Sequence, residues 1–401
     1  MNLILDTHII QSYPVSNLNR DDTGSPKDCI VGGSRRARVS SQCVKRSIRL
    51  HPAFATRVER AGGDVGVRTK FLLNELSNEL TNRGLDAETA KTAANAGILA
   101  LGFGFDKKNA DKTQYLLYLG KREIVELAEL LMNADKREAV MAAAAKTDKK
   151  SKSGDDSEGD NEKSKKGLDL DKNLKNEFSA IIGSHRKDHK GYAADIALFG
   201  RMIADDKDMN VDGASQVAHA ISTHRVDTTF DYYTAVDDKN TADAGAGMLG
   251  IQEYNSACYY RYANVCASAL LEGLGGDAAM ATAALVGFAE AAVLAVPSGK
   301  QHSTAAATRP SYIRFVVRRD SAPLSFAGAF SQEIRPTHNG EPSIEKLSIE
   351  ALKTHRDRLA KVYGSDDLAL DIEIDVTDDS SPSLADALAR LEQTLSAEFG
   401  A

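Results

Sequence analysis

Apolar and polar positions change period several times along the chain, and each change predicts an element. Asn2 to Tyr13 is rich in Leu and Ile and ends at Pro14, which predicts a first strand that stops before a loop. The loop, Ser16 to Gly33, strings together NLNRDD, TGSPKD and a glycine pair, all turn formers. Ser40 or Ser41 can then cap a helix by accepting from a first-turn N–H. In that helix Gln42, Lys45, Arg46 and Arg49 recur at helical spacing on one face, while Cys43, Val44, Ser47 and Ile48 fall on the opposite arc. Val67 to Leu80, Asp86 to Leu101 and about Lys121 to Ala145 carry apolar residues at three- and four-residue intervals, predicting a helical lobe inserted after the first helix. Thr147 to Gly167 has no apolar residue and mixes both charge signs, so a disordered surface loop is expected there.

Order resumes near Leu168. Asp195 to Met202 and a second flank from Ala214 border an acidic, turn-prone tip, the pattern of a protruding loop. Met202, at the edge of that tip, reads either as a wedge or as a buried anchor. Phe230 to Val236 and Ile251 to Val265 are β-rich, Leu270 to Gly276 ends a short helix, and Asp277 caps a long Ala-rich helix that stops before Pro297. SYIRFVVRR after Pro310 predicts a strand, followed by a helix near Ser348 to Val362, a strand at LALDIEIDV and a helix from Ser383. Outside the helical lobe the order is strand, helix, strand, strand, helix, strand. That order predicts an α+β fold, an antiparallel sheet with helices on one face. RNA-recognition modules share the plan, although their aromatic stacking signature is absent from this sequence.

Composition changes the picture in one place. The 401 residues carry a formal net charge of -7, which argues against nucleic-acid binding by the whole surface but not by a local groove. Ser34 to Arg49 is that place: SRRARVSSQCVKRSIR has six cations and no acid. It is either a solvated basic face or an anion site, with the helix N-terminus adding unpaired N–H groups beside it. Other chemistry is weaker. Cys29, Cys43, Cys258 and Cys266 are widely spaced with no C-x-x-C, against both a zinc site and a disulfide scaffold. His185 and His189 are four apart but no third ligand completes a metal set. GAGMLG, Gly245 to Gly250, matches a dinucleotide fingerprint, yet its glycines lead into a strand instead of opening a helix. The N-terminal run holds Asp6 and His8 and lacks a basic leader, and Ala281 to Pro297 is too short and weakly apolar to span a bilayer, so a cytoplasmic protein is expected.

Asn19-Arg20-Asp21-Asp22, Lys27-Asp28, Gly32-Gly33 with RRARVSSQCVKR, then DIALFGRM, AHAISTHRVD, TAVDD and GIQEYNSACYYRYAN together resemble the backbone subunit of the type I-E CRISPR surveillance complex, Cascade, within the RAMP superfamily. The likeness is dense over residues 1–50 and 190–300. It implies a modified RNA-recognition-motif (ferredoxin-like) palm, an inserted helical fingers lobe and a protruding thumb. The boundaries expected are palm 1–60, fingers 61–180 with the charged loop at 146–167, a return to the palm at 181–192, thumb 193–225, and palm with C-terminal helices at 226–401. Copies would polymerise along CRISPR RNA, present guide segments to a target DNA strand, and meet a large subunit, a small subunit, a 5′-handle-capping subunit and a hairpin-processing endoribonuclease. By this likeness Ser40, Gln42, Lys45, Arg46 and Arg49 match the guide-binding helix, Asn19, Arg20, Lys27 and Arg38 the adjoining loop and strand, and Met202 the thumb residue against RNA. No catalytic residue, metal or cofactor is expected. The alternative is a RAMP-type ribonuclease, metal-dependent or acid–base, using Asp22, Asp28 and His8.

Overall fold

The computed structural model describes residues 2–152, 168–183, 191–203, 207–239, 248–337 and 339–400. His185, His189, the charged stretch 153–167 and Gly245 to Gly247 lie outside the described residues. The strands in chain order are β1 (Leu3–Ser16), β2 (Asp28–Val31), β3 (Ser34–Val39), β4 (Gly66–Thr69), β5 (Leu117–Gly120), β6 (Ser215–Val217), β7 (Ala220–Ser222), β8 (Thr229–Ala235), β9 (Met248–Cys266), β10 (Tyr312–Arg319) and β11 (Leu368–Asp375). Two compact units result, one comprising residues 1–61, 214–270 and 278–401, the other 62–213 and 271–277.

The first unit is built on one antiparallel sheet of nine strands, ordered β11-β10-β1-β9-β7-β3-β2, with β6 and β8 also paired to β9. Within it β1 and β9 lie at the centre, flanked by β10 and β7, with helices in the connections from β1 to β7 and from β9 to β10. β1 is a near-continuous buried run because it is central and covered on both faces, and it buries Asp6, Thr7, His8 and Gln11 along with its apolar residues. Alternation puts Leu3, Leu5, Thr7 and Ile9 on one face and Ile4, Asp6, His8 and Ile10 on the other. The first face lies against Val44 and Ile48 of the helix α1 (Ser41–Arg49) and Ala292 of the helix Ala278–Leu294, which share a small cavity with Thr7 and Ile9. The second face is sealed as well. Ile10, Tyr260, Tyr262 and Tyr312 form one core with Phe326, Phe330 and, from the helix Ile344–Tyr363, Ile349 and Leu352. Helices on a single face were expected. The second layer escaped that reading because its contacts come from residues some three hundred positions from β1.

The structure corrects four local expectations. The loop Ser16 to Gly33 contains β2, which pairs with β3 across a two-residue turn, Gly32 and Gly33, both at positive φ; two glycines there permit the primed turn that matches strand twist. β1 runs past Pro14 to Ser16, through a register shift between Tyr13 and Ser16 that spares the proline a ladder bond. Gly66–Thr69 is a strand paired with β5, and the helix begins only at Leu72. The charged stretch from Lys146 starts as the end of a helix, Ala134–Lys152. Met248 to Gly250 open β9, so the glycine motif does run into a strand.

The second unit has its own core, including Leu72, Leu76, Leu127, Leu131, Phe178 and Ile203. It takes in residues 193–213, which were expected to protrude separately. Two buried polar anchors hold them: Asp195 Oδ1 accepts the Gly66 N–H at 2.6 Å, and Arg201 pairs with Glu123 at 2.9 Å. Ala214 to Ser222, the expected return flank, instead forms β6 and β7 of the sheet. No helix among the described residues is long and apolar enough to cross a membrane.

Candidate nucleic-acid interface

α1 is two-sided as its spacing predicts. Ser40, not Ser41, is the cap: its Oγ accepts the Cys43 N–H at 3.4 Å. Val44 and Ile48 are buried, at 6% and 1% exposure, and their burial contributes roughly 1.5–3 kcal/mol each to holding the helix on the sheet. Gln42 and Arg46 on the far side are exposed, with Lys45 and Arg49 half-buried beside them. Burial alone lowers the Lys45 pKa from its ordinary value.

Backbone and side chain tie the loop to this helix in sequence. Asn19 Oδ1 accepts the Ser40 N–H at 2.8 Å, the Lys27 N–H donates to the Asn19 carbonyl at 2.9 Å, and the Arg38 N–H donates to the Lys27 carbonyl at 2.9 Å. Asp21 shapes the loop by accepting from the Thr23 and Ser25 N–H groups and the Thr23 hydroxyl, the last of which leads in lowering its pKa. Arg20 is exposed, bridged through its backbone to Pro26. The nine residues from Asn19 to Arg49 named as contacts are therefore one local cluster. A cleft of about 330 Å3 opens at its edge, lined by Asp21, Lys27, Asp28, Arg35 and Arg38 among others.

Three features depart from expectation. Arg36, counted among the six cations, is 0% exposed; its guanidinium donates to the Ser222 carbonyl at 2.8 Å and the Phe330 carbonyl at 3.3 Å. Arg35 pairs with Asp28 at 3.2 Å. The helix N-terminus does not offer the N–H groups of Ser41 and Cys43, because His219 Nδ1 accepts the first at 3.2 Å and Ser40 the second. His219 is thus a member of the cluster that periodicity could not single out. Its pKa is lowered by partial burial, then by Arg38 and Lys27. An imidazole accepting from a backbone amide must be unprotonated at that nitrogen.

Met202 belongs to the second unit and is 84% exposed, which removes the buried-anchor reading. Another exposed apolar group was not foreseen. Met248 to Tyr254 pairs with β8 alone, making a two-stranded ribbon. On one of its faces Phe230, Tyr232, Leu249 and Ile251 are each 59% exposed or more. The β-pattern of both strands was legible; their lack of cover was not.

The ribonuclease alternative meets a different geometry. His8 is 0% exposed on the sheet face opposite α1, stacked on Phe326 at 4.3 Å, with Nδ1 hydrogen-bonded to the Tyr260 hydroxyl at 2.9 Å. Asp28 is committed to Arg35. What the cluster offers is a strip of positive charge with hydroxyl and amide donors, suited to phosphate and ribose and carrying little that distinguishes bases.

Among solved structures, a chain of one described as a CRISPR RNA-guided surveillance complex, pre-nicking, is 31% identical, with a TM-score of 0.75 over 98% of this chain and 99% of that one. A chain of a second, described as a CRISPR RNA-guided surveillance complex, is 27% identical with a TM-score of 0.64 over 99% of each. No curated protein matches the chain. The model of the CT1975-like protein family matches residues 5–397, and with nearly the whole sequence covered the chain belongs to this family of CRISPR-associated proteins.

Proposed function

We propose that this protein is a non-catalytic CRISPR RNA-binding subunit that polymerises along the guide to form the backbone of a type I-E Cascade complex. The observation that carries the reading is α1: Val44 and Ile48 anchor it while Gln42, Lys45, Arg46 and Arg49 face outward beside Lys27 and Arg38. A protein that holds any guide must grip phosphate and ribose and leave base edges free for pairing with target DNA. The sheet unit is the palm, a modified RNA-recognition fold. Its sheet face is closed by Phe326 and Phe330, so the guide takes the α1 side and not the aromatic face such folds commonly use. The second unit supplies the fingers and Met202. The apolar face of the β8–β9 ribbon, Phe230, Tyr232, Leu249 and Ile251, meets bases or the adjoining copy, and the remaining surfaces meet the other Cascade subunits.

The test is binding of guide-length RNAs of unrelated sequence at several salt concentrations, followed by sizing of the complexes. Salt-sensitive, sequence-independent binding that yields RNA-templated multimers is expected, with RNA intact after incubation with divalent metal. Lys45→Ala with Arg49→Ala weakens binding; Phe230→Ser with Tyr232→Ser, both exposed, leaves the fold intact but impairs multimer formation. Unchanged assembly in the first double variant, or cleaved RNA, overturns the assignment.

A further inference from the structure

Met202 is the exposed residue of a sequence whose two neighbours are buried. Arg201 is 3% and Ile203 6% exposed, against 84% for Met202. Ile203 enters the core of its unit, and its N–H donates to Asn210 Oδ1 at 2.5 Å. Arg201 makes a two-way backbone bridge with Val211, its N–H donating at 2.9 Å and its carbonyl accepting at 2.8 Å. The Arg201 side chain does more. Nη1 donates to both carboxylate oxygens of Glu123, at 3.0 and 2.9 Å, while Nε donates to the Met209 carbonyl at 2.9 Å and Nη2 to the Ile182 carbonyl at 2.6 Å. Its guanidinium carbon lies 5.8 Å from the centre of the Tyr192 ring. One planar cation therefore joins four separate stretches of chain directly beside Met202.

Burying an ion pair is costly, and an apolar pair of the same volume commonly stabilises a core as well or better. What the guanidinium offers that an apolar side chain does not is a fixed set of directions, since its donors form a rigid fork. We infer that Arg201, clamped by Glu123, is a positioning residue: it locks the backbone so that Met202 is presented outward in one place, as an apolar wedge against the guide. This rests on the reading of Met202 as an RNA contact. A thioether side chain has no rotamer stiffness of its own, so a wedge built from it depends on the rigidity of its base.

The experiment uses the full chain assembled on guide RNA carrying 2-aminopurine, bright when unstacked, at successive positions. Wild type gives periodic bright positions, and Met202→Ala loses them; periodic brightness that survives Met202→Ala removes the wedge reading itself. Arg201→Lys keeps a charge beside Glu123 but drops the fork. It is expected to lower the brightness contrast about fivefold or more, the size of one stacking interaction, while RNA affinity stays close to wild type and the melting point falls, because the Met209 and Ile182 carbonyls lose their donors. Full contrast in Arg201→Lys alongside its loss in Met202→Ala overturns the positioning role. Backbone hydrogen exchange on the wild type is a second measurement, and it does not depend on any variant folding. Amides of Arg201, Ile203 and Val211 are expected to exchange as slowly as the core of their unit; exchange at loop rates would overturn the proposal.

Discussion

Arg36 and Arg46 belong to one cationic run, and alanine at the two positions has opposite consequences. Arg46 is exposed on the outer face of α1, and among the described residues no ion pair engages it. If it neutralises one phosphate of a single strand, Arg46→Ala reduces the slope of log affinity against log salt by about 0.7 per protomer, from a total near 4.2 for the six cations Arg20, Lys27, Arg38, Lys45, Arg46 and Arg49. Thermal unfolding stays in place, because the side chain supports nothing. Arg36 is wholly buried between two carbonyls. Its truncation orphans the Ser222 and Phe330 acceptors and leaves a cavity, offset in part by removing a desolvated charge, for a net cost of about 3 kcal/mol. That corresponds to a melting point lower by roughly 6–10 °C, with an unchanged salt slope in the fraction that remains folded. The assay is fluorescence anisotropy of labelled guide RNA across a salt series, with melting curves of the same samples. A reduced slope with intact stability in Arg36→Ala, or an unchanged slope in Arg46→Ala, refutes the division of the run into a structural and a binding arginine.

Two further outcomes follow from geometry and burial. At Gly32, φ is 59° and a Cβ would stand 1.9 Å from the Ser331 carbonyl oxygen, whereas at Gly33, φ is 79° with nothing within 4 Å. Chemical denaturation should show Gly33→Ala losing about 1–2 kcal/mol to backbone strain alone and Gly32→Ala losing clearly more; equal losses would count against the hairpin packing. His8 has its pKa held well below the ordinary value, first by burial and then by Arg314 and Arg318. The unfolded chain therefore takes up a proton that the folded one refuses, so this contribution is complete above about pH 6.5 and is lost below it, by up to about 1.4 kcal/mol per pH unit. Melting measured across that range should fall less steeply in His8→Phe, and parallel curves would place the titrating group elsewhere.

Much of the site is legible in the sequence. The 0, 3, 4, 7 spacing of Gln42, Lys45, Arg46 and Arg49 determines that they share a helix face, because helix geometry is local. The turn formers between Asn19 and Asp28 likewise determine a loop next to that helix, and the alternation in the later strands determines β-structure. These are properties of neighbours along the chain.

What only the tertiary structure decided depends on residues distant in sequence. Arg36 reads like Arg38, and becomes structural only because Ser222 and Phe330 meet it from 186 and 294 positions away. His219 joins the site because β7 pairs with β3, carrying it to the Ser41 amide. Met202 could be wedge or anchor by its spacing alone; Glu123, 78 positions earlier in the chain, buries its neighbour Arg201 and leaves Met202 outside. Local pattern determines which face a side chain takes, but burial is a property of what folds over that face. For this protein the strip of charge was written in the spacing of its residues, and which of those charges stay at the surface was settled by long-range packing.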